Sequence, residues 1–325
     1  MNTKLQVAAL LEQGGGEGYL SGAAIARSLG LTRSAVWKCI RQLEAEGYEI
    51  ESSSRGYRLG AKSDAVSEGS IRKYLGTYAA RYSLEVLTDV DSTNTYLKLH
   101  APERPSWHAV LAGSQSAGRG RLGRRFISPA GSGVYLSVLL RPQLTAEQAV
   151  RITTAAAVAA CRAIEACLGE TPQIKWVNDV YLRGKKTCGI LTEASIDLES
   201  GGLDWVVMGI GFNVYEPEGG FPADLKDIAG PIATDRGRDL RSRLAAAFLC
   251  RFYDICADLD DTGIAGEYRR RSMLIGKQIN VIRGGSTRPA TALDIDGECR
   301  LLVRYEDGTE EALSSGEVSV RAAYA

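Results

Sequence analysis

The sequence predicts an α+β protein in three parts, and three observations along its 325 residues support that fold class. Residues 1–60 alternate short helical patterns with turns and end in an alternating segment typical of a β-hairpin. Residues 67–272 mix short β-branched strand patterns with long helical patterns. From Gly276 onward, apolar residues recur with period two between glycine turns, which indicates an all-β module. We therefore predict domains at residues 1–62, 67–272 and 273–325.

The first part has the pattern of a winged helix-turn-helix. Ser21 is suited to cap a helix, Gly30 supplies the turn, and Thr32 caps a second helix that runs to about Glu46. The outward face of the second helix carries donors and a flat ring, and a wing would lie beside it. The predicted DNA-contacting residues are Arg33, Ser34, Trp37, Lys38, Arg41 and Arg55, with Arg58 also on the wing and the helix-turn-helix spanning Gly22 to Arg41.

The charge of this first part is weak for a DNA-binding domain. Residues 1–60 contain seven Lys or Arg against six Glu, a net charge of about +1. A helical packing module with an ordinary solvated basic face is therefore the alternative. If the module does bind DNA, we expect it to need dimerisation, because two copies double the phosphate contacts.

The middle part predicts a mixed sheet covered by helices. The small polar residues 61–66 suit a linker before it. Thr145 and Gln148 have the spacing of a capping box ahead of a buried helix over 146–168, and a second long helix is predicted over 239–259. Strands are predicted at 83–87, 109–113, 134–140, 173–176, 188–193 and 205–211.

The composition is that of a soluble globular protein. Hydrophobic residues make up 45% of the chain and charged residues 24%, and 39 basic residues balance 39 acidic ones. No stretch approaches the roughly 18 apolar residues of a membrane span, and the N-terminus lacks the pattern of a secretory signal. We expect a cytoplasmic protein with no membrane partner.

Cysteine and histidine usage narrows the chemistry. The seven cysteines are odd in number and never spaced as C-x-x-C, so they predict reduced thiols. His100 and His108 are the only histidines. A histidine-based catalytic triad or a histidine-rich metal site is therefore not expected, and we predict no dedicated metal site.

The most informative segment is the glycine–arginine loop, residues 115–125 (QSAGRGRLGRR), which follows a predicted strand. Three glycines and four arginines fall within eight of its residues. Glycines let backbone N–H groups approach a ligand, and guanidinium groups grip carboxylate or phosphate, so the loop predicts an anion clamp. A basic surface loop is the alternative. A Rossmann site is not favoured, because arginines interleave the glycines and no acidic residue follows about 20 positions on.

Five segments, taken in order, resemble the family of bifunctional biotin ligases and biotin operon repressors. They are 91–94 (DSTN), 118–124 (GRGRLGR), 175–179 (KWVND), Lys186 with 189–191 (GIL), and 209–213 (GIGFN). The resemblance covers essentially the whole chain and implies a class II synthetase-like catalytic domain and an SH3-like C-terminal barrel. Val177 stands where the family commonly has proline, and Phe126 where it often has tryptophan, which puts local loop shape in doubt.

The resemblance implies a two-step reaction, in which biotin and ATP give biotinyl-5′-adenylate and a carrier-protein lysine then takes the biotinyl group. Lys186, Arg121, Arg119 and Asp179 would carry the chemistry, with Mg²⁺ arriving on ATP. The implied biotin-binding residues are Ser92, Thr93, Asn94, Gln115, Gly118, Arg119, Gly120, Arg121, Trp176, Lys186 and Gly189, and the implied ATP or adenylate residues are Arg119, Arg121, Arg124, Asn178, Lys186 and Asn213.

Several of these residues have simpler readings. Ser92, Thr93 and Asn94 suit a helix cap, and capping and ligand contact are compatible. Lys186 stands in a basic run that would suit a surface turn, and Trp176 suits a core.

The resemblance also implies partners. They are a biotin carboxyl carrier protein, operator DNA and a second copy of the chain in the adenylate-bound state. The open alternatives are a monofunctional ligase whose N-terminal module does not bind DNA, a ligand-sensing repressor without catalysis, and a lipoate-type ligase.

Overall fold

The computed structural model describes residues 3–13, 18–45, 48–60, 63–145, 149–196, 202–259, 262–283, 285–314 and 316–320. Their order of elements is α1 (Thr3–Gln13), α2 (Gly22–Leu29), α3 (Arg33–Ala45), β1 (Ile50–Ser53), β2 (Gly56–Leu59), α4 (Glu68–Leu75), β3 (Ser83–Leu87), α5 (Thr93–His100), β4 (His108–Ala112), β5 (Gly133–Leu140), α6 (Ala149–Leu168), β6 (Gln173–Lys175), β7 (Asp179–Leu182), β8 (Lys185–Ile196), β9 (Leu203–Asn213), α7 (Leu240–Ala257), α8 (Thr262–Arg271), β10 (Gln278–Arg283), β11 (Ser286–Ile295), β12 (Leu301–Tyr305), β13 (Glu310–Leu313) and β14 (Glu317–Val320).

The N-terminal elements α1 to α3 and the β1–β2 hairpin share one hydrophobic cluster, and the predicted winged helix-turn-helix is confirmed. The Ser21 hydroxyl accepts a hydrogen bond from the Ala24 amide, and Gly30 ends α2 with φ at 67°. The Thr32 hydroxyl accepts from the Ala35 amide at the start of α3. The interior side chains of this cluster include Val7, Leu11, Ile25, Val36, Ile40 and Leu43.

The central element is a mixed seven-stranded sheet of order β3-β4-β5-β9-β8-β7-β6. Strands β3 and β4 are parallel, and the other pairs are antiparallel. Helices α6 and α7 pack against each other and bury residues together with the sheet. Alanines 155–157 of α6 are fully buried. Their small side chains allow the helix to pack closely against its neighbours. Helix α5 contributes to a second cluster with Val110, Leu139 and Val207.

The six predicted strands and the two long helices are confirmed, with ends shifted by a few residues. Strand β7 and helix α8 were not predicted. The second residue of the predicted capping box, Gln148, lies outside the described residues, as does Glu46 at the predicted end of α3.

The described part of the predicted linker, residues 63–66, has no regular secondary structure and connects β2 to α4, but it is not an exposed segment. Ser63, Asp64 and Ala65 are buried. Asp64 forms an ion pair with Arg241 on α7, 3.1 Å between Oδ2 and Nε, and accepts a hydrogen bond from the Tyr215 hydroxyl. The connection is therefore part of the packed interior, because an interior arginine needs the carboxylate that this segment supplies.

The C-terminal module is an antiparallel five-stranded sheet of order β13-β12-β11-β10-β14. Its apolar side chains, among them Ile279, Val281 and Leu301, belong to the same cluster as the central sheet. The Trp176 indole N–H donates to the Cys299 carbonyl at 2.9 Å, which joins the two sheets. In the described helices we find no segment with the length and apolar character to cross a membrane.

Candidate active site

A cavity of about 800 Å³ opens beside the central sheet. It is bounded by the start of α5, the glycine–arginine loop, strands β6 to β9, residues 221–229 and the start of β14. This volume suits a ligand larger than biotin alone. The cavity brings together every predicted catalytic, biotin-binding and nucleotide-binding residue except Gly118.

Hydroxyl and amide groups gather at the start of α5. The Ser92 hydroxyl accepts from the Thr95 amide, so the predicted cap is confirmed. The Thr93 amide and hydroxyl both donate to the Gln115 side-chain oxygen, at 2.8 and 3.1 Å, and the Gln115 amide donates to the Ser128 hydroxyl. These contacts fix neutral polar groups at one end of the cavity, where a neutral polar ligand group would find partners.

Asn94 is held in one orientation. Its Nδ2 donates to the Leu191 carbonyl at 3.2 Å and to Glu193 Oε2 at 2.9 Å, while its Oδ1 accepts from the Ser137 hydroxyl at 2.6 Å. Gly209 lies directly beneath it, since a Cβ there would lie 1.9 Å from Oδ1. A carboxylate accepts only, so the amide nitrogen must face Glu193.

The glycine–arginine loop closes on itself. The Gly120 amide donates to the Arg124 carbonyl and the Phe126 amide to the Gly118 carbonyl. Gly118 supports the loop and does not line the cavity: a Cβ there would lie 2.3 Å from the Phe126 carbonyl oxygen, so only glycine fits. The implied ligand contact of Gly118 therefore finds no support in the cavity lining.

Two loop arginines are held by the C-terminal module. Arg121 donates to Asn178 Oδ1 at 3.1 Å and to the Gly316 carbonyl at 2.9 Å. Arg124 pairs with Glu317 at 2.6 Å. Both arginines line the cavity. The module thus contributes directly to the cavity wall next to the loop.

A third loop arginine turns the other way. Arg119 Nη1 lies 3.3 Å from Glu193 Oε1, and Lys98 Nζ lies 2.6 Å from the same oxygen. Burial by itself would raise the pKa of Glu193, but hydrogen bonds from Lys98 and Asn94 and the nearby charges hold it below its ordinary value. Sequence reasoning missed Glu193, although it stands two residues after the GIL segment.

Lys186 faces the cavity and is not an exposed lysine of a surface turn. Its Nζ lies 2.6 Å from Asp179 Oδ1, and the two side chains are 27% and 18% exposed. The backbone of Lys186 is fixed on both sides, because its amide donates to the Ile228 carbonyl and its carbonyl accepts from the Gly230 amide. The Asn213 amide nitrogen donates to the same carbonyl at 3.3 Å. A fixed ammonium therefore lines the same cavity as the arginine loop.

Lys175 is a second cavity lysine that sequence reasoning quoted in a motif without giving it a role. Burial lowers the pKa of its ammonium below the ordinary value, partly offset by the charge of Asp179. Trp176 is both core and lining, being 4% exposed. The Phe126 ring lies against Gly189 and Gly211: a Cβ at Gly211 would lie 2.4 Å from the ring and has no room, whereas one at Gly189 would lie 3.3 Å from it, a tight contact.

The predicted DNA-contacting side chains of α3, and Arg55 on the wing, are exposed. Arg33, Ser34 and Lys38 are exposed on α3, and Trp37 is 52% exposed. Several of these residues have protein partners: the Ser34 hydroxyl shares a hydrogen bond with the Thr32 hydroxyl, Arg41 stacks over Trp37 and pairs with Glu44, Arg55 stacks over Tyr19, and Arg58 pairs with Glu51. Arg58 is thus the least free of them to reach a phosphate.

Among the described residues, no group of three or more His, Cys, Asp or Glu is placed to hold a metal ion. All seven cysteines are free thiols. Burial raises the pKa of the Cys161 thiol to about 12, so it stays protonated. Nothing among the described side chains therefore favours cysteine chemistry.

Family models match three parts of the chain. The Biotin/lipoate A/B protein ligase family matches residues 86–213, an HTH domain matches 4–58, and the Biotin protein ligase C terminal domain matches 274–321. The matches thus cover the helix-turn-helix, most of the cavity lining and the C-terminal sheet in the predicted order, with cavity residues 221–229 outside them.

Curated relatives match along nearly the full length. The bifunctional ligase/repressor BirA of Bacillus spizizenii is 36% identical over 313 residues, covering 94% of this chain and 95% of that protein. The protein of the same name from Escherichia coli K12 is 27% identical, covering 98% and 97%. Among solved structures, the biotin protein ligase of Aquifex aeolicus in complex with biotin and ATP superposes with a TM-score of 0.63 at 27% identity, covering 74% of this chain and 99% of that one.

Proposed function

Because the chain belongs to the family of bifunctional biotin ligases and repressors, we propose that it activates biotin with ATP, transfers the biotinyl group to a lysine of a biotin carboxyl carrier protein, and represses biotin genes through its winged helix. One observation carries the enzymatic half. A single cavity has neutral hydroxyl and amide groups at one end, and the loop arginines and Lys186 beside them. Such a cavity complements a molecule with a neutral ureido head and an anionic acyl-phosphate.

In the first step, a biotin carboxylate oxygen attacks the α-phosphorus of ATP and the bond to pyrophosphate breaks. Negative charge grows on the phosphorus oxygens, so fixed cations serve the step better than an acid or base. Lys186 follows this charge, and Arg121 closes over the adenylate. Asp179 holds the Lys186 ammonium in place before the ligand arrives, as their 2.6 Å contact indicates.

In the second step, the carrier lysine amine attacks the acyl carbon and the bond to AMP breaks. An ammonium cannot attack, so its proton must leave first, and under this proposal Asp179, one of the carboxylates lining the cavity, accepts it. Mg²⁺ bound to the ATP phosphates would offset phosphate charge, with Asn178, Asn213 and Asp179 as the nearby oxygen donors.

Ser92, Thr93, Asn94 and Gln115 bind the ureido end under this proposal, and Trp176 and Gly189 border the bicycle. Under the same proposal, the chain is divided into domains at residues 1–62, 67–272 and 273–325. The last domain shapes the site through its contacts to Arg121 and Arg124. The surface of α3 enters a major groove, with Arg33, Ser34, Trp37, Lys38 and Arg41 towards the DNA and Arg55 on the wing.

The deciding experiment gives the protein ATP, labelled biotin and the biotinyl-accepting domain of a carboxylase. We expect label on one lysine of the acceptor, and none when that lysine is replaced by arginine. Lipoate in place of biotin is the matched control. Transfer of lipoate in preference to biotin would overturn the substrate, and absence of any adenylate would overturn the enzymatic half.

A gel shift with DNA upstream of biotin genes separates the bifunctional protein from a monofunctional ligase. We expect a shift that strengthens with biotinyl-adenylate, because ligand-driven ordering would favour a homodimer and pair two recognition helices. Ultracentrifugation with and without adenylate measures the dimer itself. Equal dimerisation in both states would contradict the coupling, and no shift at any protein concentration would contradict repression.

A further inference from the structure

One carboxylate, Glu193, contacts both helix α5 and the glycine–arginine loop although it does not line the cavity itself. Glu193 lies on β8, two residues beyond Leu191, which does line the cavity. Because side chains alternate across a strand, Glu193 points to the same face of the sheet as Leu191. Asn94 and Lys98 are four residues apart on α5 and therefore share the helix face that meets it.

The two oxygens of the Glu193 carboxylate contact different partners. Oε2 accepts from Asn94 Nδ2 at 2.9 Å. Oε1 contacts Lys98 Nζ at 2.6 Å and Arg119 Nη1 at 3.3 Å. The same side chain thus fixes the amide at the polar end of the cavity and one guanidinium of the glycine–arginine loop.

We infer that Glu193 is a positioning residue for the biotin end of the site, which orients Asn94 and holds Arg119 beside it. The inference rests on the proposed function and deepens it. It divides the loop arginines by partner: Arg119 is anchored to the sheet, whereas Arg121 and Arg124 are anchored to the C-terminal module. Glu193 should therefore govern biotin affinity with little effect on ATP.

Because Glu193 and Asn94 are largely buried, a substitution of Glu193 should disturb the orientation of Asn94. The Glu193 side chain is 20% exposed, and Asn94 is 4% exposed. An Asn94 amide that loses its charged acceptor keeps only the Leu191 carbonyl, and a partly buried donor without a partner carries a cost. Arg119 is 46% exposed and would swing towards solvent or the phosphates when released.

The test compares Glu193→Ala and Glu193→Gln in the full chain. Biotin affinity is measured without ATP by equilibrium dialysis, and the KM for ATP by pyrophosphate exchange at saturating biotin. We expect Glu193→Ala to weaken biotin binding by roughly tenfold to a hundredfold, with the KM for ATP changed less than about threefold. Glu193→Gln keeps the shape and an acceptor for Asn94, so its loss should be smaller.

Glu85→Gln is the matched control. Glu85 accepts from the Tyr96 hydroxyl at 2.8 Å, so it anchors the same helix, but it does not belong to the cavity lining. It should leave biotin affinity unchanged. The variant Arg119→Ala tests the contact between Glu193 and Arg119. In its background, Glu193→Ala should weaken biotin binding less than it does in the wild type, because one of the two contacts of Glu193 that matter is already lost.

Wild-type biotin affinity in both folded Glu193 variants would overturn the inference. So would an equal loss in Glu85→Gln, or a KM for ATP that rises as much as biotin affinity falls, since either result indicates general loosening. Should Glu193→Ala fail to fold, the isosteric Glu193→Gln decides alone. A wild-type protein that binds no biotin would instead refute the proposed function.

Discussion

Under the proposed function, Lys186 is the residue on which the first chemical step depends most. Removing one donor to a transition-state oxyanion typically slows a reaction by about 10² to 10³. We expect Lys186→Ala to slow biotin-dependent pyrophosphate exchange by that amount. Lys185→Ala is the control, because the Lys185 ammonium contacts the carbonyls of Lys226 and Asp227 and does not line the cavity. Near-normal exchange in Lys186→Ala, or equal losses in both variants, would refute the assignment.

Gly209 has no room for a methyl group. A Cβ there would lie 1.9 Å from Asn94 Oδ1, and Asn94 cannot retreat because Ser137, Leu191 and Glu193 hold it. We expect Gly209→Ala to weaken biotin binding by roughly tenfold or more through displaced hydrogen bonds, measured by equilibrium dialysis. Gly297→Ala is the matched control, since no atom lies within 4 Å of its Cβ position. Unchanged affinity in Gly209→Ala would contradict the placement of biotin beside Asn94.

The sequence predicted side chains that carry chemistry better than side chains that position them. The arginine loop stands out because arginines in a glycine-rich segment are unusual, Lys186 and Asp179 were found through the family resemblance, and the structure brings all of them to one cavity. Glu193 did not stand out, because its partners Lys98 and Arg119 are 95 and 74 residues away in the chain. A lone glutamate in an apolar strand gives no local signal of a distant partner.

At the scale of elements, the sequence predicted the helices and strands that have a strong hydrophobic period and missed elements that have a weak one. Helix α8 has two glycines and a polar sequence, GEYRRR, over its second half, so no apolar period marks it. It is stabilised by tertiary contacts instead. Tyr268 is fully buried and its hydroxyl donates to the Val177 carbonyl. Strand β7 has only four residues, too few to show a period.

The ion pairs of α8 predict a pH dependence of stability. Burial alone would raise the pKa of Glu267, but hydrogen bonds from Arg162 and Arg271 hold it below its ordinary value of 4.5. A lowered folded-state pKa stabilises the fold above the unfolded-state pKa, and this contribution disappears as pH falls through the folded value. We expect Glu267→Gln to reduce the free energy of unfolding by about 1–2 kcal/mol at pH 7.

Urea unfolding of the wild type and Glu267→Gln between pH 7 and pH 3 checks this. The difference between the two should be constant above about pH 5 and shrink below the ordinary glutamate pKa. The exposed pair of Arg304 with Glu310 provides a control, since Glu310→Gln should change stability little at any pH. A difference for Glu267→Gln that grows on acidification would contradict the sign.

At the scale of the whole molecule, the helix-turn-helix and the ligase are joined by buried contacts. Glu12 on α1 accepts a hydrogen bond from the Ser67 hydroxyl at the start of α4. Composition could not reveal this joint, because residues 63–66 are small or polar and the partner of Asp64 lies 177 residues later. Tyr215, which also bonds Asp64, follows Asn213 of the cavity by two residues. One stretch of chain therefore touches both the joint and the site.

Substitutions of the buried residues at this joint should therefore lower the free energy of unfolding strongly. Burial raises the pKa of Asp64, and the charge and hydrogen bonds of Arg241 act in the opposite direction. Asp64→Ala leaves Arg241, which is 5% exposed, without its counter-charge, at a cost of about 3–5 kcal/mol. Tyr215→Phe removes the hydrogen bond to Asp64 and the 3.4 Å hydrogen bond from the Gly237 amide, and should cost about 1–2 kcal/mol. Calorimetry that shows equal, small losses for the two variants would mean that water reaches Arg241 and that the joint is open in solution.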